Sequence, residues 1–293
     1  MTSSASANRY ADGFGRSRSD AVLTAFVMAA VLTVVSIFGW LLFDLLRHGV
    51  GQLSWSFLTE RVASSGRAGG IGPVVVSTLL ILAVCLATAV PVGLMGAMWL
   101  SELGRASSRF STGVRRSLDV LAGVPSIVFG LFGNAFFCIY LGLGFSILSG
   151  GLTLACMVLP IFIREAEEGL RAVPESYRLS AAALGFSQTR TLFSILLPAA
   201  LPAVLVGLVL GVGRALAETA ALIFTSGYVT RAPGSLLDSG RSLSIHIYDL
   251  SMNVPGGEPN AYASALVLVG LLMAINGTAS WVSHRYIRTR RGA

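Results

Sequence analysis

Apolar runs longer than about 18 residues recur along this chain, and no other feature restricts its folding as much. They fall at about 21–46, 73–101, 118–142, 146–163, 193–224 and 262–284. A helix of roughly 20 such residues crosses a bilayer, so six spans and an all-α integral membrane protein are predicted. The first run is longer than the roughly 7–15 apolar residues of a signal peptide and no clear cleavage site follows it, so it is expected to be retained. Pro73 suits the start of the second span, and Pro91 is expected to kink it. Composition agrees: 12% of residues are charged and 54% hydrophobic, where soluble domains carry about 25% charged residues.

The charges that remain are unevenly placed. All 21 basic residues are arginine and the net charge is +7. They gather at the ends of the apolar runs, the pattern that orients a membrane protein rather than one that binds nucleic acid. Residues 1–18, 102–117, 164–191 and the C-terminal end hold 15 arginines, while 47–72 and 225–261 hold five; Arg214 lies within a run. Both termini are therefore expected in the cytoplasm, with 47–72 and 225–261 outside. The Ser-rich residues 1–20 are expected to form a mobile cytoplasmic tail. Cys85, Cys138 and Cys156 lie within apolar runs without CxxC spacing and read as core residues, and the three histidines are too scattered to form a metal site. GxxxxGK[ST], GxSxG and HExxH are all missing, so neither P-loop ATP hydrolysis nor a hydrolase is expected.

Two charges break the pattern. "GRALAETAALIFTSG" (213–227) puts Arg214 and Glu218 four residues apart in the fifth run. On a continuous helix they would pair. A charge at the centre of a membrane helix costs about 2.5–3.5 kcal/mol on insertion scales, so such residues face a partner or a cavity. Two readings stand: a mutually neutralising pair that fixes packing, or a polar point on a solute pathway. Asn134 and Ser126, in the third run, can line a passage or bond neighbouring helices. Asn276 reads as structural, and Gly207, Gly211 and Gly213 as points of close helix packing.

Residues 165–198, "EAEEGLRAVPESYRLSAAALGFSQTRTLFSILLP", form the longest polar stretch between apolar runs on the basic side. Charged and apolar positions alternate at helical spacing, Pro174 breaks the first helix, and Gly185 is expected to end the second in a left-handed conformation. The pair carries too much apolar content for a free loop and should dock on something. It resembles the consensus of ABC-importer permeases: Glu-Ala-Ala, three residues, Gly, nine residues, Ile-x-Leu-Pro. Gly185 and Ile195–Pro198 match it, as does Ala181, while Leu179 and Ser180 replace the Glu and the first Ala. "LAGVPSIVFGLFG" (121–133), "AVPVGLMGAMWLSEL" (89–103) and the Arg214 segment are similar to phosphate-specific permeases, nearer the PstA type than the PstC type.

This resemblance implies a type-1 permease domain over 73–284, after a first transmembrane helix at 21–46. A coupling segment at about 165–191, with Glu167, Glu168, Gly169, Ala181, Gly185 and Pro198, would engage an ATPase. The implied partners are a homologous PstC-type permease, a cytoplasmic ATPase dimer that binds the ATP and Mg2+, an extracytoplasmic phosphate-binding protein, inorganic phosphate and membrane lipid. No cofactor is expected in this chain, which would be a non-catalytic subunit in a bacterial cytoplasmic membrane. Arg214, Glu218, Asn134 and Ser126 would line the pathway. A guanidinium fork can hold phosphate oxygens, and a carboxylate can accept the proton that phosphate keeps and sulfate lacks. The alternatives are a sulfate or molybdate permease, a secondary transporter working alone and a membrane-embedded phosphatase, for which the sequence offers no convincing nucleophile and base.

Overall fold

The computed structural model describes residues 18–103 and 108–291; most of the predicted tail, and residues 104–107, lie outside the described residues. The chain divides into two units, residues 1–48 and 49–293. In the first, α1 (Arg18–Gly49) begins the apolar span Asp20–Gln52.

The second unit opens with α2 (Trp55–Thr59), capped by the Ser54 hydroxyl, and a hairpin of β1 (Val62–Ala63) with β2 (Ala68–Gly69). Then α3 (Gly72–Met98) starts with Pro73 in its first turn, continues without interruption through Pro91, and ends in a π-helical turn, Trp99–Leu103. Ser108 caps α4 (Arg109–Ala122), and Pro125 precedes α5 (Ser126–Gly133), which continues as a π-helical turn, Asn134–Tyr140. Ser146 caps α6 (Ile147–Arg171), Pro174 precedes α7 (Glu175–Ala183), and Ser187 caps α8 (Gln188–Thr191). A third π-helical turn, Leu192–Leu196, leads into α9 (Leu197–Ala217), followed by α10 (Ala220–Ile223). Ser242 caps α11 (Leu243–Met252), and α12 (Glu258–Arg291) completes the described chain. A serine hydroxyl satisfies an otherwise orphaned amide at each of these caps, and proline fits a first turn whose amide has no helical partner.

Five described helices are long and apolar enough to span a membrane, and α4 with α5 makes a sixth if the bent pair is one span. That bend corrects the sequence reading. The third run was expected to be one helix, but α4 and α5 meet at 101°. Pro125 cannot donate an amide and pushes Val124 out of helical geometry, so the chain turns at Gly123–Pro125. Residues 109–117 of the basic stretch before it form the first part of α4. The second correction lies in the fifth run. Its helix stops at Ala217, and Glu218 is extended (φ −75°, ψ 128°) before α10 begins.

The core forms where α6 packs between α3 and α9. Phe162, Leu154, Met157, Leu170 and Leu196 are buried there. Lipid is as apolar as leucine, so membrane helices gain from close packing more than from leaving water, and small residues allow it. Gly93 lies against Phe162, Gly169 against Ala203, and Gly211 against Val158, where any Cβ would collide. Gly207 likewise packs on Glu165, while Gly213 has room for a side chain. A second cluster, Phe57, Ile71, Val74, Leu243 and Ala263, joins the 49–72 segment to α11 and α12.

Candidate functional site

Arg214 lies in the last turn of α9, half-buried, where a cation offsets the negative end of the helix dipole. Among the described residues it has no hydrogen bond or ion pair. The expected pair with Glu218 does not form, because the helix breaks between them and the i,i+4 geometry is lost. Glu218 instead accepts the Ala221 amide on its carboxylate Oε1 at 3.1 Å, capping α10, and its main-chain carbonyl accepts the Ser244 hydroxyl of α11 at 2.5 Å. At the other end of α10, Asn134 donates Nδ2 to the Phe224 carbonyl at 2.8 Å. Helix α5 reaches α10 closely because Gly130 faces the Ala221 backbone, with only 2.8 Å left for a Cβ. Glu218 and Asn134 thus hold opposite ends of one short helix, α10, which follows the helix break after Arg214. Ser126 is not with them. It opens α5 at the elbow, eight residues or about 12 Å before Asn134 along the helix.

The coupling residues divide into an exposed set and a buried set. Glu167 is only 1% exposed and is ringed by arginines: Arg115 at 2.7 Å, Arg171 at 3.1 Å and Arg164 at 3.7 Å, the last also paired with Asp119 at 3.0 Å. It ties α4 to α6 and is closed to a partner, contrary to the docking role expected of it. Gly169 is buried against Ala203, also a packing position, whereas Glu168 is exposed. Ala181 is buried, seating α7, while Leu179 and Leu184 are 65% and 73% exposed. Gly185 has φ +72°, as expected, and the Phe186 amide bonds Ala181 while the Gly185 amide bonds Ala182. These two bonds make a Schellman cap, which needs a left-handed residue at this position. Pro198 sits in the first turn of α9, directly after the π-helical turn.

One residue that the sequence reading missed dominates this region. Arg178 binds Glu102 of the α3 end with Nε at 3.1 Å and Nη2 at 2.5 Å, and donates to the carbonyls of Val173 and Leu170. The hydrogen bond to Glu102 raises its pKa further, against partial burial. No local pattern could reveal it, since its acid partner is 76 positions away. At the opposite end of the bundle Arg241 pairs with Asp249 at 2.9 Å, stacks over Tyr228 and approaches buried His246 at 3.5 Å.

Five or six apolar spans, a helix break beside a half-buried cation, and a short capped helix outside the spans fit a membrane permease. Residues 89–290 match the family described as binding-protein-dependent transport system inner membrane component, and the chain belongs to that family. It is 30% identical over 275 residues to a probable ABC transporter permease protein, YqgI, of Bacillus subtilis, covering 89% of this chain and 91% of that one. It is 32% identical over 274 residues to phosphate transport system permease protein PstA 1 of Mycobacterium tuberculosis, covering 92% and 87%. Its fold matches the crystal structure of a bacterial ABC transporter involved in the import of the acidic polysaccharide alginate, with a TM-score of 0.66 and 15% identity over 91% of this chain and 96% of that one. The inward-facing MetNI methionine ABC transporter is a further structural match, with a TM-score of 0.57 and 16% identity over 72% and 91%.

Proposed function

We propose that this chain is the PstA-type permease subunit of an ATP-driven phosphate importer. It forms the translocation pathway with a homologous PstC-type permease and does no catalysis itself. A cytoplasmic ATPase dimer holds ATP and Mg2+ and engages the exposed face of α7, and an extracytoplasmic phosphate-binding protein delivers the solute. Both termini face the cytoplasm. Similarity to the mycobacterial phosphate permease supports the solute, and the carrying observation in this chain is Arg214. It is a guanidinium at a helix break, without an acidic partner among the described residues. Unwound backbone at membrane depth is found where it lines a cavity or binding site. The Glu218 carboxylate, with Oε1 on the Ala221 amide, keeps Oε2 for the proton that phosphate carries. That arrangement favours phosphate over sulfate, which has no proton to donate.

The test is ATP-dependent phosphate uptake by the reconstituted complex. Arg214→Gln is expected to abolish uptake while the complex assembles and the binding protein still captures phosphate. Arg214→Lys is expected to restore little, because a compact ammonium lacks the bidentate fork. Normal uptake by Arg214→Gln would refute the role.

A further inference from the structure

Three elements that are distant in sequence meet at the π-helical end of α3, Trp99–Leu103. A helix end presents carbonyls without intrahelical partners, and two arginines from elsewhere engage this one. From α4, Arg115 donates Nη2 to the Leu100 carbonyl at 2.7 Å while its Nε holds Glu167 of α6. From α7, Arg178 grips both oxygens of Glu102. A bidentate fork fixes an angle as well as a distance.

What else holds α7 matters here. Among the described residues it packs extensively on no other element, although Ala181 is buried. A cavity of about 200 Å³, lined in part by Ala182, Phe186, Gln188 and Thr191, opens beside the ion pair. Arg178, which also donates to the Val173 and Leu170 carbonyls, is therefore the main polar tie of α7 to the bundle, and the cavity beside the pair leaves the helix room to tilt.

We propose that Arg178 is the positioning residue through which α7 drives α3. Displacement of α7 by the ATPase passes through Glu102 to the π-helical turn, and through Arg115 to α4 and the elbow that leads into α5. This relay rests on the transport reading, but the clasp itself can be read without any solute.

In the assembled complex, Arg178→Ala is expected to keep subunit stoichiometry and ATP hydrolysis while phosphate uptake per ATP falls about tenfold. Arg178→Lys should recover only part of the loss. Exchanging the charges, Glu102→Arg with Arg178→Glu, should restore coupling above either single change. Arg190→Ala, which removes a guanidinium whose one side-chain contact among the described residues is the Phe186 ring at 4.4 Å, should leave the ratio unchanged. Spin labels at Ser176 and Ser117, in a Cys-free background, should show a broader distance distribution in Arg178→Ala than in the parent. If Arg178→Ala does not assemble, Glu102→Gln is read in the same two ways. An unchanged uptake ratio, or an unchanged label distribution, overturns the proposal. A parent complex that moves no phosphate, with the label response intact, refutes the solute instead and leaves the clasp standing.

Discussion

Glu167 and His246 show how burial decides what a titratable residue does. Glu167 lies within a run of acids that reads as docking surface, yet its side chain is enclosed by three arginines from α4 and α6. Glu168, one position on, points outward. One step along a helix turns the side chain by about 100°, enough to change a partner contact into an internal tie. His246 is pushed down from 6.5 to about 4, by burial first and by the Arg241 cation second, with Asp249 opposing. Folded protein thus holds it neutral where the unfolded chain takes up a proton. Its contribution to stability is complete above pH 6.5 and is lost as pH falls towards 4, by roughly 3 kcal/mol at the acid end. Thermal unfolding of the detergent-solubilised protein at pH 7 and pH 4.5 should show this loss, and His246→Gln should flatten the difference. An equal pH dependence in that variant would exclude His246 as its source.

Among the elements, α7 was legible because its stop signals are local: Pro174 before it, and Gly185 in the left-handed position after it. Among the described residues nothing lies within 4 Å of where a Gly185 Cβ would stand, so a substitution there meets strain but no clash. A β-branched residue at φ +72° costs about 1–2 kcal/mol, whereas asparagine visits this region readily. Gly185→Val is expected to weaken ATPase capture and uptake while the permease pair still forms, and Gly185→Asn to retain most of both. Co-purification of the ATPase with each variant decides the matter, and equal yields for Val and Gly would show that the cap has no part in docking. The α4–α5 elbow and the end of α9 were less legible. Pro125 marks the first, but the hydrophobicity on both sides reads through it. The break at Glu218 has no proline or glycine at all, and depends on tertiary bonds to Ser244 and on the cap of Ala221.

At the scale of the whole molecule, arginine placement predicts the orientation that the proposed function needs. The exposed positions Ser235, between α10 and α11, and Ser187, after α7, should lie on opposite sides of the membrane. In whole cells, with a Cys-free background and a membrane-impermeant maleimide, Ser235→Cys is expected to be labelled and Ser187→Cys to be labelled only after lysis. The reverse pattern would put α7 outside, away from any ATPase.

What the sequence determined by itself is the part governed by local chemistry and by the bilayer. Runs of apolar residues demand helices that satisfy their own backbone bonds, and serine, proline and glycine punctuate them at Ser146, Pro174 and Gly185. Tertiary structure decided where charges find partners: Arg178 with Glu102, Arg115 with Glu167, and Arg214 with none among the described residues. Spacing along a chain predicts a pair only while the helix between the two residues continues. Each of these outcomes instead depends on which helices pack together or on where a helix stops.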